Sequence, residues 1–176
     1  MGHQLKVEII ANEIHFYCQE SRKPSLIEEV LEKSQQHFLE AALTYLEPES
    51  QDLHHYWNGF REIQTEEDHQ SLWYYYHFGR ILDRYQEGLT DRPNEKSRQV
   101  NEYFKEVTQE ENVQFRIRVN RRAYQLFKTQ PALTLYLGSI LSVRKLGRID
   151  QDTFNNLVQK LDQLIEFNFA EAQSFE

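Results

Sequence analysis

Six glycines and four prolines in 176 residues are too few turn-makers for a many-stranded sheet, which needs turn chemistry about every ten residues. That scarcity points to helices joined by short loops. Apolar residues make up 39% of the chain, and 11 Phe, 10 Tyr and 2 Trp supply ample bulk for a core, so the low hydrophobicity of a disordered chain is absent. The length is that of one ordinary domain, and residues 1–176 are expected to form a single α-helical domain.

Apolar spacing along the chain supports this. Gln4 to Glu20 places Val7, Ile10, Ala11, Ile14 and Cys18 on one helical face, although the alternation in LKVEII also suits a strand; the helix is preferred. Ser25 and Glu28 after Pro24 form a capping box, opening a long helix with a stripe of Leu26, Ile27, Val30, Leu31, Phe38, Ala41, Ala42 and Tyr45 that stops before Pro48. Glu28, Glu29, Glu32, Lys33 and Glu40 are expected to face water. Leu53, Tyr56, Trp57 and Phe60 mark a short covering helix.

Thr65, followed by three acidic residues, suits a helix start, with the helix ending at Gly88. Asp91 or Asn94 can cap the next helix, whose face is Val100, Tyr103, Phe104 and Val107. From Asn112 to Phe127 strand alternation competes with helical spacing, and a strand would lack a partner, so the prediction is helix. Thr129 caps a continuous helix with Pro131 in its first turn and Gly147 as a left-handed C-cap. Because Pro131 to Val143 has no charged residue, this helix is expected to be central. Asp150 opens the last helix, striped with Phe154, Leu157, Val158, Leu161, Leu164 and Ile165, and residues 170–176 are expected to fray. The predicted architecture is an all-α compact bundle of six to eight helices.

A single cysteine, Cys18, cannot form an internal disulfide. With neither a secretory signal pattern nor a long apolar run, the expectation is a cytoplasmic protein that does not span a membrane.

Side chains that could do chemistry each have a simpler account. Glu66 and His69 form one Glu-x-x-His pair, where a di-iron bundle needs two and further glutamates; helix capping already explains Glu66. His54 and His55 are adjacent and would point about 100° apart on a helix. His15 and Cys18 share a helical face at the spacing of an activated thiol, yet Cys18 also continues the apolar stripe. His37 reads as a boundary residue. No nucleophile elbow, phosphate-binding glycine loop or Cys/His quartet is present, so no catalytic residue, metal or cofactor is assigned.

Charge is unevenly distributed. From Asn112 to Ile149 there are eight basic residues and no Asp or Glu, leaving 12 basic against all 28 acidic residues elsewhere: +8 in this segment, −16 in the remainder, −8 in total. A negative total argues against indiscriminate binding of polyanions. Within the segment, Arg118, Arg121 and Arg122 fall on one polar arc with Gln114 and Gln125, able to meet phosphates or carboxylates. Arg144, Lys145 and Arg148 sit at a helix C-terminus, where the dipole favours cations. Together these six residues form a basic face, either open to a partner or paired with acidic neighbours within the bundle.

A second surface comes from Trp73, Tyr76 and Arg80, which fall on the polar side of their helix. They are either covered by the helix of Leu53 to Phe60 or left as residue types enriched in binding hot spots. The function expected is a non-enzymatic adaptor or regulatory subunit binding another protein, an acidic one among the candidates, or itself, through one of these surfaces. The alternative is a nucleic-acid-binding subunit of a larger nucleoprotein assembly that uses the basic segment.

Overall fold

In the computed structural model the backbone is described for residues 3–10, 13–20, 24–44, 50–63, 70–90 and 92–174, and the side chains within 24–171 of these ranges. The described residues form an all-α bundle of eight helices preceded by one hairpin. None of the described helices is long and apolar enough to cross a membrane.

The hairpin replaces the helix expected for the first segment. β1 (His3–Ile10) and β2 (Glu13–Glu20) pair antiparallel, with Leu5 across from Cys18, Val7 from Phe16 and Ile9 from Ile14. Both strands repeat with period 2, so pairing puts three apolar pairs at positions sharing one face. The hairpin rests against α1 and α8.

α1 (Leu26–Leu43) starts as its capping sequence predicts: the Ser25 hydroxyl accepts from the Glu28 N–H at 3.2 Å, a cap contributing about 1 kcal/mol. Val30, Leu31, Phe38 and Ala41 are buried, and so is Glu28, which was expected in water. α2 (Leu53–Arg61) is capped by Asp52 and buries Leu53, Tyr56, Trp57 and Phe60.

α3 (Ser71–Glu87) follows Gln70, which makes no side-chain cap; Thr65, Glu66 and His69 lie outside the described residues. It is the central helix. α2, α4, α5 and α6 all pack on it, and it buries Leu72, Tyr75, Tyr76, Phe78, Ile81 and Leu82 together with His77 and Arg80.

α4 (Pro93–Thr108) begins at its proline without a side-chain cap, so Asn94 lies inside the first turn and Asp91 is outside the described residues. Val100, Phe104 and Val107 are buried, and the helix ends at Gln109 in the left-handed conformation, φ 61°.

α5 (Gln114–Phe127) is the helix preferred from sequence. It crosses α3 at Gly79. A Cβ there would sit 2.7 Å from the Tyr124 Cβ and collide with the Asn120 carbonyl oxygen, so only glycine lets the two backbones approach this closely.

The continuous helix expected from Pro131 to Leu146 is instead three pieces: a 3-10 turn at Pro131–Leu133, α6 (Thr134–Leu137) and α7 (Val143–Arg148). The Ile140 and Leu141 amides both donate to the Leu137 carbonyl, and the Ser142 hydroxyl then caps α7 by accepting from the Lys145 N–H. The Thr129 cap is replaced by Gln130, which precedes the turn and donates its amide to the Phe38 carbonyl of α1. Gly147 is not a left-handed cap; it lies buried inside α7, where a Cβ would stand 2.6 Å from Phe115 Cζ. α8 (Gln151–Ser174) begins beside Asp150, which accepts from the Thr153 N–H, and buries Phe154, Leu157, Leu161, Leu164 and Ile165. It runs to Ser174.

Candidate docking surface

The two surfaces picked from sequence have different fates. Tyr76 (3% exposed) is covered by α5, its ring 5.8 Å from that of Tyr124. Arg80 (8% exposed) is also interior, donating to the Ser50 carbonyl at 2.6 Å, to Gln51 Oε1 and to His77 Nδ1. Trp73 is half-buried and meets Tyr56 of α2 and His77 edge-on. The short helix therefore covers Trp73 and α5 covers Tyr76. What looked like a polar face is a second seam of a helix buried on most sides.

Two of the arginines are structural as well. The Arg122 guanidinium donates to the Leu146 carbonyl (2.7 Å) and the Ile149 carbonyl (2.8 Å), lies over the Phe154 ring and is buried. It ties α5 to the end of α7. Burial first, then nearby Arg118, holds its pKa below the usual arginine range, while Asp150 acts the other way. Arg116 ion-pairs with Glu110, donates to the Tyr75 hydroxyl at 2.7 Å and covers Trp57 and Phe60.

Arg118 and Arg121 differ from these. Both are exposed on the outer face of α5, and among the described residues neither has an ion-pair partner. Arg144, Lys145 and Arg148 are exposed on α7. A cleft of about 410 Å³ opens beside Arg118 and Arg121, lined by Asn101, Gln114, Ile117, Arg122, Gln125, Gln151 and Phe154 as well. Its polar lining is three guanidinium groups and four side-chain amides, with no carboxylate. Such a lining presents many donors to an anion and no competing charge.

A second cleft, of about 590 Å³, shares Arg121 and Gln125 and continues toward α3 and α4. Here Asp83 and Glu87 face Arg121 and Lys128. Burial, then Glu87, raises the Asp83 pKa, with Lys128 and Arg121 opposing. Arg121 thus stands between an acidic and an acid-free cleft, whereas Arg118 belongs to the acid-free one alone.

Beside Arg118, Phe115 is 40% exposed and lies against Gly147 of α7, with the Arg118 guanidinium 5.5 Å from its ring centre. Sequence reasoning missed Phe115, Asn101 and Gln151. Phe115 showed only as strand-like alternation, and no signal in one sequence brings Asn101 and Gln151 to α5.

The remaining pairs make no site. His15 and Cys18 fall on opposite faces of β2, because residues three apart in a strand alternate. His54 and His55 are exposed neighbours on α2. His37 Nδ1 lies 3.0 Å from Glu40 and its ring stacks on Tyr136. Among the described residues no three His, Cys, Asp or Glu side chains cluster as metal ligands would.

Comparison with protein-family models, with curated proteins and with solved structures returned no match.

Proposed function

We propose that this protein is a non-enzymatic adaptor that docks an acidic segment of a partner protein on the outer face of α5. The observation carrying this reading is the acid-free cleft at Arg118 and Arg121. In a chain of net charge −8, two exposed arginines without an ion-pair partner beside four side-chain amides form a local exception. Exposed charges act over roughly 8–10 Å at ordinary salt, so attraction is confined to the cleft and its rim. A short run of carboxylates fits that range, with bidentate guanidinium contacts supplying orientation. A long polyanion would also meet the acidic remainder.

One observation favours a second reading, single-stranded nucleic acid. Phe115, half-exposed beneath Arg118 and next to the helix carrying Arg144 and Arg148, is the residue type on which bases stack.

Fluorescence anisotropy separates the two. A labelled peptide alternating Glu and Asp, and a labelled oligothymidylate, are each titrated with wild-type protein and with an Arg118→Ala/Arg121→Ala variant at low and physiological salt. Arg122 is left intact because its loss would disturb the fold. Adaptor function predicts peptide binding that weakens at least about tenfold in the variant, as expected when charged hydrogen bonds worth about 1.5–3 kcal/mol each are removed. Oligothymidylate binding that falls steeply with salt and is lost on Phe115→Ala would favour the second reading. Absence of both at low salt would rule out α5 as a docking face for either.

A further inference from the structure

Among the described residues the hairpin of β1 and β2 is a two-stranded sheet, so both strands are edges with an unpaired side. Two strands alone are marginal in water and gain stability from further strands sharing an apolar face or from a packed helix. This hairpin has such a face: its register and alternation put Leu5, Val7 and Ile9 at positions sharing one side with Ile14, Phe16 and Cys18. The helices it rests against also carry unburied apolar residues, Leu39 (69% exposed) and Leu43 (85%) on α1 and Phe169 on α8.

The sequence of β1 indicates what completes the sheet. Leu5-Lys6-Val7-Glu8-Ile9 is self-complementary when reversed: apolar at both ends and the centre, with opposite charges flanking the centre. We propose that β1 is a dimerisation edge, pairing antiparallel with β1 of a second copy of this chain about a two-fold axis at Val7. The result is a four-stranded sheet ordered β2-β1-β1-β2. In this register Val7 faces Val7, Leu5 faces Ile9, and Lys6 and Glu8 face each other twice, once on each side of the axis. The apolar positions of both hairpins then join into one face.

The other arrangements lack this match. Reversing β2 about Phe16 sets His15 against Tyr17 and Glu13 against Gln19, with no opposite charges. Slipping β1 by one residue sets apolar positions against charged ones, because the period is two. An isologous two-fold contact is the commonest form of self-association. The pairing does not involve α5, so it stands or falls independently of acidic-peptide binding.

Sedimentation equilibrium of the full chain through the micromolar range tests the dimer, against a monomer mass of 21.3 kDa. Wild type is expected to approach twice that mass. Lys6→Glu and Glu8→Lys each set like charges against each other at both flanking positions and are expected to raise the dissociation constant about tenfold. The double variant restores opposite charges in reversed order and is expected to recover the wild-type value, which a merely misfolded hairpin would not do. In a Cys18→Ser background, Val7→Cys should crosslink to its own copy on mild oxidation, because residues directly opposed across strands lie within disulfide reach. A monomer at all concentrations, a dimer indifferent to the single changes, or a double variant no better than the singles would each overturn the proposal.

Discussion

His77 is the residue whose surroundings diverge most from those of a histidine in water. Its ring stacks on Tyr56 at 4.3 Å, and its Nδ1 accepts a hydrogen bond from Arg80, which requires that nitrogen to be unprotonated. Burial first, then the Arg80 charge and His55, pushes its pKa down to about 3. An unfolded histidine titrates near 6.5, so between these values the unfolded chain binds a proton that the folded chain excludes. This group leaves stability unchanged above about pH 6.5 and lowers it as pH falls toward 3, by on the order of 5 kcal/mol in all. Denaturant titrations from pH 7 to pH 4 should therefore show a falling unfolding free energy, and His77→Gln should flatten that slope. An unchanged slope in the variant would show that other groups set the acid sensitivity. The arginines teach the same dependence on neighbours. Arg118 and Arg122 lie on one arc of α5, and sequence spacing treats them alike. Only the fold shows that one reaches carbonyls at the end of α7 while the other reaches solvent.

Elements were readable from sequence wherever their signals were local. The Ser25 cap, the α2 quartet, the Val100, Phe104 and Val107 face of α4 and the α8 stripe each depend on residues within a few turns. The misreadings arose where two local readings were close and a distant contact decided between them. Residues 4–20 fit both periods, and the strand won because its partner lies only two residues further along the chain. The charge-free stretch from Pro131 suggested one buried helix, but apolarity reports burial rather than continuity, and Ser142 caps a new helix within it. The Gly79 crossing follows from the same logic of contact and gives an element-scale prediction. Gly79→Ala would drive α3 away from α5, and overpacking of this kind costs about 1–3 kcal/mol or more. For a chain of this length that is a fall in Tm of roughly 2–12 °C. A thermal melt unchanged from wild type would mean the backbones separate without cost. An alanine at Gly88, where a Cβ has an ordinary 3.5 Å neighbour, should melt close to wild type.

At the scale of the molecule, the buried apolar side chains among the described residues run from Val30 on α1 to Ile165 on α8 and form one cluster. The described helices thus share one core among themselves. A chain lacking residues 1–23 is expected to keep a cooperative thermal transition and a helical circular dichroism spectrum, with Tm within a few degrees of the full chain; a broad, non-cooperative melt would show that the hairpin supports the core. The placement of charge follows the same division. The basic segment read from sequence as one block is split by the fold, with Arg116 and Arg122 used internally and Arg118, Arg121, Arg144, Lys145 and Arg148 outside.

Apart from Arg122, α5 carries its structural and its exposed residues on opposite sides. Its inner side is fixed by the backbone contact at Gly79 and by Asn120, Ala123 and Phe127 in the interior, while Arg118 and Arg121 are exposed along the clefts. In evolutionary terms this uncouples two searches. Substitutions on the inner side are filtered by stability before any partner is met, whereas exposed positions tolerate change within about 0.5 kcal/mol. A lineage could exchange Arg118 or Arg121 for other residues without leaving the folded state at any intermediate step.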